Sequence, residues 1–262
     1  MSRLVATRSG AHAERLLPYL LPAALLVAWQ LSASFGWLPK NVLPSPLGVL
    51  AAAVKLGGNG ELAAHLSVSL WRALGGLLIG ASIGFALGLA NGLSRLSETV
   101  LDTSLQMVRN VPHLALIPLV IVWFGIGEEA KLFLVALGVF FPVYVNTFHG
   151  IRSVDPQLRE MARVYGFTRP ELFTRVVLPG AMPSILVGLR YALGIMWLTL
   201  IVAETISASA GLGYMAMQGR EFMQLDVVVL AILIYALLGK LADVVVRLLE
   251  RRVLAWHPAH AR

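Results

Sequence analysis

Residues 153–180 read SVDPQLREMARVYGFTRPELFTRVVLPG, a polar and basic stretch in the middle of a mostly apolar chain. Asp155 is a good helix N-cap, and Pro156 follows it at the first helical position, where a missing N–H group costs nothing. The helical pattern then runs to Tyr165, and Gly166 offers a left-handed stop. The first part of this stretch therefore predicts a short helix that ends at a glycine.

A second helix is predicted directly after that glycine. Thr168 and Glu171 have the spacing of a capping box, and Pro170 fits the first helical turn. Residues 178–180, Leu-Pro-Gly, are predicted to end this helix. The whole stretch is thus expected to form two short helices joined by a glycine.

The first of these helices is amphipathic. Leu158, Met161 and Tyr165 share one of its faces, because residues three and four apart are neighbours on a helix. Charged side chains border this apolar strip, namely Arg159, Glu160 and Arg163. Such a strip suits a groove on a partner protein, although an ordinary amphipathic loop between two membrane spans has the same pattern.

The fixed positions of residues 153–180 resemble the EAA-x3-G-x9-I-x-L-P signature of the membrane subunits of bacterial ABC importers. The positions that carry the resemblance are Glu160, Met161, Ala162, Gly166, Val176, Leu178 and Pro179. Two of them depart conservatively, since Met161 stands in place of an alanine and Val176 in place of an isoleucine. The resemblance implies that these residues form a coupling helix and loop that dock into a cytoplasmic ATPase subunit.

The rest of the chain has the composition of an integral membrane protein. Of its 262 residues 58% are hydrophobic and only 13% are charged. Apolar runs predict six spans, near residues 16–37, 66–93, 100–125, 132–150, 182–207 and 227–249. We therefore predict an all-α membrane protein with a single six-helix domain over residues 16–250, in which residues 153–180 form a loop. Short tails are predicted at residues 1–15 and 251–262.

The first apolar run has two interpretations. It is long enough to cross the membrane, because roughly 20 helical residues span a hydrocarbon core of about 30 Å. The small residues Ser32-Ala33-Ser34 also resemble a signal-peptide cleavage site. We favour a retained helix over a cleaved signal peptide.

Glycines mark one side of the second predicted span. They recur at every fourth position, at Gly76, Gly80, Gly84, Gly88 and Gly92. On a helix this spacing lines one face with small residues, so that another backbone can approach closely. The pattern predicts tight packing of this helix within a bundle.

The positive charges indicate the orientation of the chain in the membrane. With the N-terminus inside, most arginines of the loops and tails fall on the cytoplasmic side: Arg95, five arginines from Arg152 to Arg175, Arg247, Arg251 and Arg252. The outer loops then hold only Lys40, Lys55, Lys131 and Arg220. This asymmetry fits the positive-inside rule for six spans with both termini in the cytoplasm. It also explains the net charge of +7 without a nucleic-acid partner.

The third predicted span contains Pro112 and Pro118, which should bend or break it next to a protein-lined or water-filled cavity. A transport pathway is expected there. Arg109 offers a planar fork that matches a sulfonate or carboxylate, unless it lies at a helix end or pairs with Asp102. Further candidate pathway residues are Asn110, His113, Asn146, Thr199 and Glu204, of which Glu204 is either a gate or a structural hydrogen-bonding group.

The sequence lacks the motifs of a catalytic protein. It has no glycine-rich loop with a lysine to hold ATP phosphates, so energy must come from another subunit. It also has no cysteine and no glycine-flanked serine nucleophile. His65, His113 and His149 lack a helically spaced metal-binding partner. We therefore expect a non-catalytic subunit with no cofactor or metal of its own.

The resemblance to ABC importer permeases extends over almost the whole chain. It includes residues 43–46 (LPSP), 109–118 (RNVPHLALIP), 123–126 (WFGI) and 197–207 (WLTLIVAETIS). These segments are similar to the nitrate, sulfonate and taurine branch of the family, and most of all to its aliphatic-sulfonate permeases. The resemblance implies a type I importer permease fold and import of aliphatic sulfonates by alternating access. Taurine, nitrate and pyrimidine precursors stay open as substrates.

The same resemblance implies the partners of the chain. They are a second copy of this subunit, two cytoplasmic ATPase subunits that bind ATP and magnesium, and a periplasmic substrate-binding protein. The complex is expected in the lipid of the bacterial inner membrane. Two other classes remain possible from the residues, a secondary transporter with an ion-coupling site and a membrane enzyme.

Overall fold

The computed structural model describes residues 8–39 and 42–256, and every regular element within them is helical. The described chain divides into two compact units. One comprises the residues up to 62 together with residues 215–232, and the other comprises residues 63–214 and those from 233 onward.

The first unit begins with α1 (Arg8–Ser34) and α2 (Pro46–Gly58). The indole N–H of Trp29 donates to the carbonyl of Pro44 at 3.0 Å, which ties α1 to the chain before α2. Ser45 is the N-cap of α2. Because α1 begins at Arg8, part of the predicted N-terminal tail is helical. The alanine, glutamate and arginine of residues 13–15 are strong helix formers that extend the apolar run.

The chain continues through α3 (Glu61–Leu93), α4 (Arg95–Arg109), a 3-10 turn (His113–Leu116), α5 (Ile117–Phe124), α6 (Glu128–Arg152), α7 (Pro156–Val164), α8 (Arg169–Leu172), a π-helical segment (Phe173–Val177), α9 (Leu178–Ser207), α10 (Leu212–Glu221) and α11 (Leu225–Val253). Four helical stretches within the described residues are long and apolar enough to cross a membrane: Glu61–Leu93, Glu128–Arg152, Arg169–Ser207 and Leu225–Val253. A fifth span results if α4 and the bent segment after it count as one. These five correspond to the second to sixth predicted spans, and α11 extends into the predicted C-terminal tail.

The first predicted span corresponds to α1. Its described apolar stretch, Tyr19–Ser34, is shorter than the roughly 20 helical residues that span a hydrocarbon core of about 30 Å. Its role as a retained transmembrane helix stays a prediction.

The glycine face of α3 packs against α6, as predicted. A Cβ atom on Gly84 would lie 2.6 Å from the carbonyl oxygen of Phe140, so only glycine permits this distance between the two helices. Another face of α6 packs equally closely against α9, where a Cβ atom on Gly188 would lie 2.8 Å from the carbonyl oxygen of Pro142. The close approach makes α6 the central helix of its unit.

Residues 153–180, hereafter the central loop, have the predicted helix, glycine and helix. Asp155 caps α7 by accepting the N–H of Gln157 at 2.8 Å. Gly166 has φ +80°, and the N–H of the next residue, Phe167, reaches back to the carbonyl of Ala162 at 3.1 Å. This is the Schellman arrangement that a left-handed glycine permits.

The predicted end of the second helix is wrong. The chain does not leave the helical path at residues 178–180, because the π-helical segment joins α8 directly to α9. In that wide turn the N–H of Leu178 bonds to the carbonyl of Phe173, five residues back. Pro179 then stands in the first turn of α9, directly after this wide turn.

The predicted break in the third span is confirmed. The axes of α4 and of the segment His113–Phe124 differ by 80°. Pro112 adopts an extended conformation between them, and Pro118 occupies the first turn of α5. The bend places the end of α4 next to α6.

Candidate functional site

A cavity of about 430 Å³ lies between the bent span, α6 and α9. Three of the predicted pathway residues line it, namely Arg109, His113 and Asn146. The rest of its lining is apolar or aromatic: Val111, Leu137, Gly138, Phe141, Pro142, Val145, Tyr191 and Ile195. The bend therefore brings one guanidinium, one imidazole and one amide into an otherwise largely apolar cavity.

Two further predicted pathway residues lie beside the cavity but do not line it. The Nε2 atom of His113 lies 2.9 Å from the hydroxyl of Thr199, which is fully buried in α9. Thr199 therefore orients the imidazole through a contact outside the cavity lining. Asn110 is the exposed C-cap residue of α4, and its backbone N–H donates to the carbonyl of Met107 at 3.2 Å.

Arg109 lies in the last turn of α4, which is the helix-end position considered from the sequence. The alternative pairing with Asp102 is not formed. Asp102 instead accepts a hydrogen bond from the hydroxyl of Tyr144 at 2.7 Å. Arg109 thus lines the cavity and does not pair with the nearest carboxylate on its own helix.

Glu204 belongs to a separate, buried network and does not line the cavity. Its carboxylate accepts hydrogen bonds from the hydroxyl of Ser69 at 2.8 Å, the hydroxyl of Tyr235 at 2.9 Å and the N–H of Gly213 at 2.8 Å. It also forms an ion pair with Arg72 at 2.8 Å. Of the two roles considered for Glu204, this geometry has the form of a structural hydrogen-bonding group.

Arg72 is the centre of this network. It holds Glu128 with two hydrogen bonds of 2.6 Å each and bonds both Glu204 and the carbonyl of Ala210 through Nη1. Lys131 adds a contact to Glu128 at 3.3 Å. The network joins α3, α6, α9 and the segment before α10. Arg72 is not among the residues predicted from the sequence, although an arginine inside an apolar span is a signal of a buried partner.

The central loop presents the predicted apolar strip to its surroundings. Leu158 and Met161 are about half exposed, and Val164 and Tyr165 are more than three-quarters exposed. Glu160 is exposed as well. The predicted strip therefore lies on the outer face of α7, where a partner can contact it.

The other face of the central loop is anchored to the helices that flank it. Val154 and Val177 form a buried cluster with Ile151 of α6 and Ala181 of α9. Ala162 is buried, and Val176 packs against the cluster. The exposed strip is thus fixed to the ends of α6 and α9.

Arginines crowd the base of the central loop. The guanidinium of Arg159 donates to the carbonyl of Ile151 at the end of α6. Burial lowers the pKa of the Arg159 guanidinium, and the neighbouring charges of Arg152 and Arg163 lower it further. The excess of positive charge suits a partner surface with acidic groups.

Related proteins are similar over nearly the whole chain. The aliphatic sulfonates transport permease protein SsuC of Escherichia coli K12 is 63% identical over 94% of each chain. SsuC of Bacillus subtilis 168 is 48% identical over 92% of this chain and 87% of its own. The taurine transport system permease protein TauC of Escherichia coli K12 is 37% identical over 90% and 87%.

Solved structures share the fold at lower identity. One chain of an amino acid ABC transporter with histidines has a TM-score of 0.59 and 20% identity, covering 76% of this chain and 97% of its own. The MetNI methionine ABC transporter, in an inward-facing conformation, gives a TM-score of 0.50 and 20% identity, with 70% and 95% covered. The predicted type I importer permease fold is confirmed.

One protein family matches most of the sequence. Its description is "Binding-protein-dependent transport system inner membrane component", and it matches residues 76–255. This range runs from the glycine face of α3, through the cavity and the central loop, to the end of α11. With the relatives and the shared fold, the match shows that the chain belongs to the family of inner membrane components of binding-protein-dependent transport systems.

Proposed function

We propose that this chain is the membrane-spanning subunit of an ATP-driven importer of aliphatic sulfonates. The observation that carries the substrate class is the 63% identity, over 94% of each chain, to a permease named for aliphatic sulfonates. A second permease with the same name, from Bacillus subtilis 168, is 48% identical. As a permease subunit the chain is not a catalyst, and ATP and magnesium are bound by a partner ATPase.

The cavity at Arg109 has the chemistry that such a substrate requires. A sulfonate carries a negative charge on a group of oxygens, and the Arg109 guanidinium offers charge-assisted hydrogen bonds to it. The apolar lining suits the alkyl part of the molecule. His113, from the bent span, and Asn146, from α6, supply further polar groups to the lining. We therefore assign the pathway for the anion to this cavity.

The central loop is proposed to receive the energy of ATP hydrolysis. The coupling residues are Glu160, Met161, Ala162, Gly166, Val176, Leu178 and Pro179. The exposed strip of α7 would occupy a groove on a cytoplasmic ATPase subunit, in the helix-in-groove manner. The arginine distribution supports a cytoplasmic location for the loop and for both termini.

Transport is proposed to follow alternating access in a homodimer. Closure of two ATPase subunits on ATP would bring the two central loops together and open the pathway to the periplasmic binding protein, and hydrolysis would return it inward. Because the loop is anchored on α6 and α9, which line the cavity, its movement would reach the pathway directly.

Arg109→Gln tests the pathway. Loss of a charge-assisted hydrogen bond, about 1.5–3 kcal/mol, predicts a fall of roughly tenfold or more in sulfonate uptake by proteoliposomes that contain the complete complex. Arg109→Lys keeps the charge without the planar fork, so its sulfonate uptake should lie between that of Arg109→Gln and that of the wild type. The matched control is Arg220→Gln on α10, which should transport normally. Normal uptake by the Arg109→Gln complex would remove Arg109 from the pathway.

A further inference from the structure

The helix that carries Arg109 is attached to the rest of its unit by polar contacts. In the described part of the chain, α4 has no buried side chain. The hydroxyl of Ser97 donates to Asn91 of α3 at 2.5 Å, and Asp102 accepts from Tyr144 of α6 at 2.7 Å. The rotation of α4 about its axis is therefore set by a few directional contacts and not by an apolar core.

The two carboxylates of this helix, Glu98 and Asp102, share a face with Arg109. Glu98, Asp102 and Arg109 are separated by four and seven residues, a spacing that aligns side chains along one side of a helix. Glu98 forms an ion pair with Arg152, the last residue of α6 before the central loop. The same face of α4 thus runs from the base of the central loop to the cavity.

Tyr144 is a rigid donor for this face. It is 1% exposed, and its ring is stacked nearly parallel to those of Phe140 and Phe148. Its hydroxyl also accepts a hydrogen bond from Asn91 at 2.7 Å. The hydroxyl proton is consequently directed at Asp102, and this bond forms only when α4 presents that carboxylate to α6.

We propose that Asp102 and Tyr144 are positioning residues that hold the Arg109 guanidinium at the cavity. This inference rests on the proposed transport function. If the contact between Asp102 and Tyr144 is lost, α4 rotates more freely and Arg109 meets the anion less often. The chain bends by 80° just beyond Arg109, so this freedom is not restrained by a continuous helix.

The experiment compares Asp102→Ala and Tyr144→Phe in the reconstituted complex. Sulfonate uptake should fall about tenfold per complex, while ATP hydrolysis stimulated by the binding protein stays within about twofold of the wild type. The ATP consumed for each imported anion therefore rises several-fold. Asp102→Asn keeps an oxygen acceptor for Tyr144 and should restore uptake, and Tyr19→Phe on α1 is a matched control without effect.

A double substitution separates positioning from simple damage to the fold. If Asp102 acts through Arg109, then Asp102→Ala added to Arg109→Gln causes no further loss of uptake. If the losses of uptake in the two single variants multiply in the double variant, the proposal is overturned. Unchanged uptake in both single variants, or a parallel fall of uptake and ATP hydrolysis, would also overturn it. If the wild-type complex imports another anion, the same comparison with that anion tests the positioning role separately from the substrate class.

Discussion

Glu204→Ala is expected to lower the free energy of unfolding by about 3–5 kcal/mol, because it removes the buried one of the two carboxylates that pair with Arg72. Arg72 is 2% exposed and Glu204 is 1% exposed, so water does not replace the lost contact. The hydroxyls of Ser69 and Tyr235 lose their acceptor as well. The remaining partner of Arg72, the half-exposed Glu128, compensates only in part.

The loss should also loosen the segment that follows α9. The N–H of Gly213 donates to Glu204, and Gly213 packs so closely that a Cβ atom there would lie 2.6 Å from the Cβ atom of Glu204. Removing the carboxylate leaves that N–H without an acceptor. It also leaves the space that the carboxylate occupied empty. The substitution therefore combines a broken ion pair, unsatisfied donors and a cavity.

Thermal unfolding in detergent micelles measures this effect. Glu129→Ala is the matched control, because it removes an exposed glutamate from the same end of α6 and should change stability by no more than about 0.5 kcal/mol. Glu204→Gln preserves shape and should cost less than the alanine variant. A Glu204→Ala protein as stable as the control would contradict the structural role of this network.

Joint replacement of Glu160 and Gly166 by alanine is expected to abolish the stimulation of ATP hydrolysis by the loaded binding protein. Glu160 is exposed beside the apolar strip, where it can contact a partner. Gly166 has φ +80°, and an alanine there is strained by roughly 1–2 kcal/mol. The strain would disturb the turn that sets the direction of α7.

The permease dimer should survive this double substitution, since neither residue belongs to the buried cluster that anchors the loop. Size-exclusion chromatography of the purified complex measures assembly, and a phosphate-release assay measures hydrolysis. The control pairs Gly57→Ala with Glu61→Ala, an exposed glycine and an exposed glutamate outside the central loop. Undiminished stimulation in the double variant would exclude the coupling role of α7.

The parts of the structure that local chemistry decides could be predicted from the sequence. Asp155 and Gly166 begin and end a helix through bonds to near neighbours, and Pro112 bends a span because it lacks an N–H group. The glycine face of α3 could also be predicted, since the spacing of the glycines defines it whichever helix packs against it. Each of these features depends on a few consecutive residues.

Contacts between distant residues could not be predicted in this way. Arg72 and Glu204 are 132 positions apart, and Tyr144 and Asp102 are 42 apart, so their pairing depends on how the helices pack. Pro179 misled the prediction for a different reason. A proline usually ends a helix, but the π-helical segment before it lets α9 begin there.

For the candidate site, the chemistry of the residues was visible but their grouping was not. Arg109, His113 and Asn146 come together because the 80° bend and α6 bring their side chains to one cavity. Glu204 is another ionisable residue of a predicted span, yet the fold buries it in a separate network. Which polar residues of a span share a cavity thus requires the tertiary structure.

The most direct test of the proposed function is uptake by proteoliposomes that contain this chain, its ATPase and its binding protein, with a panel of alkanesulfonates, taurine and nitrate. The expected result is ATP-dependent accumulation of alkanesulfonates, with little nitrate. Control vesicles that lack ATP, or the binding protein, should accumulate none. Uptake of nitrate without any sulfonate would contradict the proposed substrate, and uptake that persists without ATP would contradict an ATP-driven importer.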